Sequence, residues 1–173
     1  PWGYRKALRL MKQAAKFHRP IVTLINTPGA YPGKEAEANG QGAAIADLLY
    51  TCADLPTPIL AILIGEGGSG GALALAFGDE VWMTDKSMYS ILSPEGFAAI
   101  LWKDASRAKE AAAVMQLTPQ DLLAKAVCDR IIPDTGTTFA TTLKAAIKLK
   151  LAELVATDPQ ALIAKRQQRF RKF

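Results

Sequence analysis

The sequence predicts an α/β protein, and three observations carry that prediction. Apolar runs of strand length alternate with segments of helical period along the chain. The strongest run, residues 59–64, has no polar interruption, as expected of a strand buried on both faces. It ends in a glycine cluster, Gly65, Gly67, Gly68, Gly70 and Gly71, and an alanine- and leucine-rich helix follows at once. With 173 residues, half of them hydrophobic and 21% charged, the chain has the size and composition of one soluble globular domain.

Residues 4–18 read as an amphipathic helix. Tyr4, Ala7, Leu8, Met11, Ala14 and Ala15 form its apolar face, and Arg5, Arg9, Lys12 and Lys16 form a basic stripe, read as a solvated face. Pro20 stops it, and 21–25 is a buried strand. His18 at that junction reads as a cation near a helix C-terminus. Residues 26–33 hold two prolines and two glycines, a stiff loop at the carboxyl end of a strand, where ligands of α/β proteins gather. A long helix is expected over 35–54, weakened by Gly40 and Gly42, which suggest a break or a close backbone approach. Beyond the glycine cluster come a helix over 69–77, strands over 80–84 and 88–92, and a helix start at Ser93-Pro94-Glu95-Gly96. Helices follow over 97–102, from about 105 to 115 and from Thr118-Pro119, where Thr118 is the N-cap and proline the first helical residue. A last strand spans 129–132. Residues 133–137 form a linker, and two helices finish the chain.

Net charge is +5, but the stretch from Lys165 onward carries five basic residues and no acids, and the rest of the chain is neutral. That tail is expected to be a solvated, frayed terminus, with an acidic partner or nucleic acid as its alternative. Two cysteines and one histidine make neither a disulfide framework nor a zinc site, so a reducing, cytoplasmic setting and no metal are expected. No apolar run reaches the length of a membrane helix. Because the chain opens at Pro1 and runs straight into a helix, it is expected to be a fragment beginning partway into a larger domain.

Glycines cost backbone entropy on ordering, so five in seven residues point to positive φ or to close approach of main chain to a ligand. Three readings stand. The spacing Gly65-x-Gly67-x-x-Gly70 after a strand fits a dinucleotide site, with Asp85 twenty residues on. Gly67-x-Ser69-x-Gly71 fits a nucleophile elbow, although the histidine lies on the wrong side of the serine. In the third reading the amides of Gly70 and Gly71 form an oxyanion hole, and a substrate supplies its own base.

Four motifs occur in order: residues 3–11 (Gly-Tyr-Arg-Lys-Ala-Leu-Arg-Leu-Met), 27–33 (Thr-Pro-Gly-Ala-Tyr-Pro-Gly), 65–74, and Tyr89-Ser90 with 93–96 and 98–103. Together they closely resemble the alpha subunit of bacterial acetyl-CoA carboxylase carboxyltransferase, over the whole chain but more weakly beyond Pro133. The resemblance implies a crotonase-like fold of stacked ββα turns over residues 1–133, with the family's upstream part absent, and C-terminal helices with the basic tail over 134–173. It implies carboxyl transfer from carboxybiotin, presented by the biotin carboxyl carrier protein, to acetyl-CoA, giving malonyl-CoA for fatty acid synthesis. No tightly bound cofactor is expected. The implied partners are a beta subunit in an α2β2 heterotetramer, which carries the family's zinc ribbon, and the biotin carboxylase of the ATP-dependent complex. Neither membrane nor nucleic acid is implied.

By the same resemblance, the amides of Gly70 and Gly71 hold the biotin ureido oxygen as it gains charge, and the biotin nitrogen takes the proton from the acetyl methyl. Pro28, Gly29, Ala30, Tyr31, Gly67, Gly68, Ala72, Ser93, Pro94, Glu95 and Gly96 line the carboxybiotin and substrate side. Asn26 departs from the family's usual Asp, residues 34–41 from its usual acidic and arginine-containing run, and Phe97 from its common Cys. A hydratase of the same fold, with Glu66 or Glu95 as its acid, or a propionyl-type carboxylase subunit, is the rival.

Overall fold

The computed structural model describes residues 1–134 and 136–172. Thr135 of the expected linker and Phe173 of the tail lie outside the described residues. Helix α1 (Trp2–Lys16) leads into strand β1 (Ile21–Thr27), then α2 (Lys34–Ala38), α3 (Gln41–Asp54), β2 (Ile59–Gly68) and α4 (Ser69–Ala76). Strands β3 (Glu80–Thr84) and β4 (Met88–Ser90) follow, then α5 (Pro94–Trp102), a 3-10 turn (Ala105–Arg107), α6 (Ala108–Met115), α7 (Pro119–Ala124), β5 (Arg130–Ile132), α8 (Phe139–Val155) and α9 (Pro159–Phe170). The strands run parallel in the order β1-β2-β3-β5, and β4 pairs with the far end of β2.

Strand β2 is the axis, because its apolar run leaves nothing to face water. Residues 59–63 are fully buried, whereas Ile64, expected to be buried with them, is exposed. On one face Ala61 and Leu63 join Ile25, Val81, Met83, Ala72, Ala76 and Leu122. On the other, Leu60 and Ile62 join Trp82, Ile132 and Ala146 of α8. Met11 of α1 and Leu48 and Cys52 of α3 pack with Ile59 and Ala74 at the strand's beginning. Burying each large aliphatic side chain is worth about 1.5–3 kcal/mol, so the sheet's interior holds most of the stabilising area. Helix starts follow their signals. Ser93 Oγ accepts the Gly96 amide, and Thr118 and Asp121 form a reciprocal capping box. The expected long helix over 35–54 is two helices, because Gly40 takes a left-handed φ of 75° between them.

The expectation of a frayed basic tail is overturned. Arg166 of α9 is 1% exposed and spends all five of its N–H donors. Nε and Nη2 bind the two carboxylate oxygens of Asp79 at 2.9 and 2.8 Å. Nη1 donates to the carbonyls of Cys52 and Leu55, and Nη2 to that of Thr57. Asp79 also accepts the Ile59 amide at 2.7 Å. One guanidinium therefore ties the end of α3, the start of β2 and the turn before β3 to the last helix. Arg169 adds bonds to Asp129 and to the Val127 carbonyl, both 2.7 Å, and Phe170 stacks on Phe77. A charge enters the interior only when paired and fully hydrogen-bonded, and here it is. Among the described residues no helix is long and apolar enough to cross a membrane.

Replacing Arg166 by Met strands the Asp79 carboxylate and three carbonyls in the interior. The expected loss is about 3–5 kcal/mol of unfolding free energy, the cost of breaking a buried pair from one side. Denaturant unfolding of Arg166→Met checks it, and a loss under about 1 kcal/mol would mean the pair behaves as a surface pair.

Candidate functional site: a crevice at the start of α4

Strand β2 does not stop where the glycines begin. Its register against β1 slips between Ile25 and Thr27, a bulge at which Asn26 Oδ1 accepts the Glu66 amide at 3.0 Å. A Cβ at Gly65 would lie 2.6 Å from that oxygen, so this glycine makes room for the asparagine side chain. The Asn26 departure from the usual Asp thus leaves the acceptor in place, since amide and carboxylate both offer an oxygen. Residues 66–68 then pair with β4.

The glycines are chiefly a packing device: of the two expected reasons, none of the five takes a positive φ, and the close approach they allow is to the protein's own chain. Gly67 lies against Leu63 and Tyr89, Gly68 against the Pro28 carbonyl, and Gly71 against the Tyr4 hydroxyl and the Ala30 amide. Only glycine lets residues 28–30 lie main chain to main chain on residues 68–71. The left-handed position of the cluster is taken instead by Ser69, at φ 56°. On the loop side Gly29 has φ 127°, and the Thr27 hydroxyl bonds both its amide and its carbonyl. The dinucleotide reading fails on this geometry, because Gly65 and Gly67 belong to a paired strand and form no phosphate loop.

Helix α4 starts at Ser69, so the amides of Ser69, Gly70 and Gly71 have no acceptor within the helix. None donates to a turn, loop or cap carbonyl among the described residues. Gly70 alone faces open space: a Cβ there would meet nothing within 4 Å. It borders a crevice of about 500 Å³ with Ser69, Leu73, Tyr89, Ser90, Ile91, Leu122 and Val127. Ala72 is fully buried behind it. Burial pushes the Tyr89 hydroxyl up to about 12, so it stays a neutral phenol, and burial also raises Tyr4. The lining includes no His, Lys, Asp or Glu, which leaves the nucleophile-elbow reading of Ser69 without a base.

Gly70 borders the crevice, and residues 28–30 buttress its helix. Gly67 and Gly68 form the strand behind it. Tyr31 is 73% exposed with its ring over Gly33. Ser93, Pro94, Glu95 and Gly96 begin α5 and do not line the crevice; Glu66 does not line it either. Tyr89, Ile91, Leu73, Leu122 and Val127 went unforeseen as wall residues, since apolar residues on separate elements look like core in a sequence.

All 173 residues match the family model described as acetyl co-enzyme A carboxylase carboxyltransferase-like. The chain belongs to that family. It is 57% identical to the acetyl-coenzyme A carboxylase carboxyl transferase subunit alpha of Streptococcus thermophilus, over all of this chain and 69% of the relative. It is 58% identical to the same subunit of Streptococcus equi subsp. zooepidemicus, with the same coverage. The fold is that of crotonase-type carboxyltransferases. A Pseudomonas malonate decarboxylase hetero-tetramer in complex with coenzyme A superposes with a TM-score of 0.80 over 99% of this chain and 73% of that one, at 17% identity. Transcarboxylase 12S gives 0.74 over 86% of this chain and 30% of that one, at 22% identity.

The packing separates two neighbouring glycines. Gly71→Ala forces a Cβ to within 2.5 Å of the Ala30 amide, and overpacking of this kind costs about 1–3 kcal/mol. Gly70→Ala is expected to unfold close to the parent temperature. Thermal unfolding of both variants checks this; equal midpoints would sink the distinction. A bulky change at Gly71 therefore cannot probe a ligand without disturbing the fold, although the sequence pairs it with Gly70 as an oxyanion donor.

Proposed function

We propose that this chain supplies the carboxybiotin half of a biotin-dependent carboxyltransferase, converting acetyl-CoA to malonyl-CoA together with a beta subunit. Membership of the family over the full chain supports the activity. The observation that carries the site is the Gly70 amide at the open start of α4, beside a largely apolar crevice.

Carboxybiotin, delivered by the carrier protein, would supply an activated carboxyl group and, once that group has left, a ureido nitrogen able to take the acetyl methyl proton. The chain's own part is electrostatic. The amides of Gly70 and Gly71 point from a helix start toward a developing negative oxygen, where fixed donors in a dry site count most. Leu73, Leu122, Val127 and the Tyr89 ring exclude water from the crevice. Residues 28–30 hold the helix start still, because their main chain bears directly on Gly68 and Gly71. The beta subunit, acetyl-CoA and the remaining wall stand across the open side of the crevice.

A hydratase would need a carboxylate at the reacting atoms, and neither Glu66 nor Glu95 lines the crevice. In the complex with its beta subunit, Gly70→Val is expected to fold and to lower kcat by about 100-fold, the scale of losing one oxyanion donor. The Glu66→Gln, Glu95→Gln double variant should keep most of its malonyl-CoA formation. Parent-like turnover by Gly70→Val would remove the site assignment, and collapse of the double variant would favour the hydratase.

A further inference from the structure

We infer that the basic stripe of α1 is the landing surface for an acidic protein domain, the one that carries carboxybiotin; this rests on the function proposed above. The sequence offers the tail, as the alternative to a frayed terminus, for an acidic partner or nucleic acid, but the structure has already used much of that charge. Arg166 is buried on Asp79, and Arg169 is bound to Asp129. Helix α1 is the opposite case. Arg5, Lys6, Arg9, Lys12 and Lys16 are all exposed, and the helix contains no acidic residue. The first carboxylate of the chain is Glu35. Among the described residues none of these five forms a salt bridge; Arg5 alone has a hydrogen-bond partner, the Asn39 carbonyl at 2.7 Å, and the Lys16 ammonium lies 5.9 Å from the Phe17 ring centroid.

Such an arrangement works against the helix. Arg5–Arg9, Arg9–Lys12 and Lys12–Lys16 are like-charge neighbours one turn apart, and Arg5 and Lys6 stand at the end of the helix where cations are disfavoured. Arg5, Arg9, Lys12 and Lys16 fall on one line about 16 Å long. Trp2, exposed, borders the line at its first turn, and the exposed Phe17 lies just past its end. Aromatic groups at both ends of a rigid row of cations without counter-ions suit a folded acidic surface. The row also has a direction. Its first turn carries Tyr4, which packs on Gly71, so a domain lying along α1 has its leading end at the helix start of the site. Complementary charge of this kind raises encounter rates and fixes orientation.

The test uses the complex with the beta subunit and compares two acceptors of the carboxyl group from malonyl-CoA: the biotinylated carrier and free biotin. The variant is Arg9→Glu, Lys12→Glu, Lys16→Glu, which spares the Arg5 contact. KM for the carrier is expected to rise about tenfold or more at low salt, with the difference shrinking at high salt, while KM for free biotin stays unchanged. The thermal midpoint should stay close to the parent's, since Arg9→Glu turns the repulsion with Arg5 into a mixed-charge contact while residues 9, 12 and 16 remain like-charged neighbours as before. An unchanged carrier KM overturns the inference, as does an equal rise for both acceptors. Binding of the parent to phosphatidylglycerol vesicles, lost in the variant while the carrier KM holds, assigns the stripe to a membrane surface and also overturns it. A parent complex that carboxylates neither acceptor defeats the proposed function itself.

Discussion

Everything near the crevice depends on two stretches of main chain lying directly on each other. Residues 28–30 and 68–71 approach so closely that a Cβ at Gly68 or Gly71 would occupy the space of the Pro28 carbonyl or the Ala30 amide. Side chains between the loops would introduce rotamers, and with them play of an ångström or so. Backbone against backbone has no such freedom, since peptide planes are stiff and the loop is further fixed by Pro28, Pro32 and the Thr27 hydroxyl. The start of α4 is therefore held by covalent geometry rather than by soft packing. That suits fixed donors, whose value lies in being aimed before the charge arrives.

A second constraint acts from far away in sequence. The guanidinium of Arg166 closes the edge where α3 ends and β2 and β3 begin, and Arg169 holds the Val127 carbonyl, so the last helix also steadies one wall of the crevice. Core burial alone would leave these strand starts with carbonyls turned inward and unmatched. One cation with five donors satisfies them together, and Asp79 balances its charge. The two ends of the chain thus use basic residues in opposite ways, inward in α9 and outward in α1.

Much of the fold was legible because its signals are local. The unbroken apolar run at 59–64 predicted the buried strand, Thr118-Pro119 predicted a helix start that forms a full capping box, and Gly40 marked the break between α2 and α3. What escaped was non-local. The carbonyl partners of Arg166 lie more than a hundred residues away, so in sequence it looks like any arginine in a charged tail. The glycine cluster showed that backbone must come close to something, but not that its own loop was the closest neighbour. Nor could the pattern show that Gly70, and not Gly71, is the open position, because that depends on which side of the helix start faces residues 28–30.

The character of the crevice wall limits the chemistry that can be done there. A catalytic carboxylate or imidazole placed among Leu73, Tyr89, Leu122 and Val127 would lose hydration, and its pKa would move against the charged form, as the tyrosine hydroxyl's does. Amide dipoles carry no net charge, do not titrate, and need no partner ion to be tolerated in an apolar surround. A reaction whose base arrives with the substrate is the one such a wall can serve without paired charges. On the function proposed above, the pH dependence of transfer should then follow the substrates and the beta subunit, with the contribution of the Gly70 and Gly71 amides constant across the neutral range.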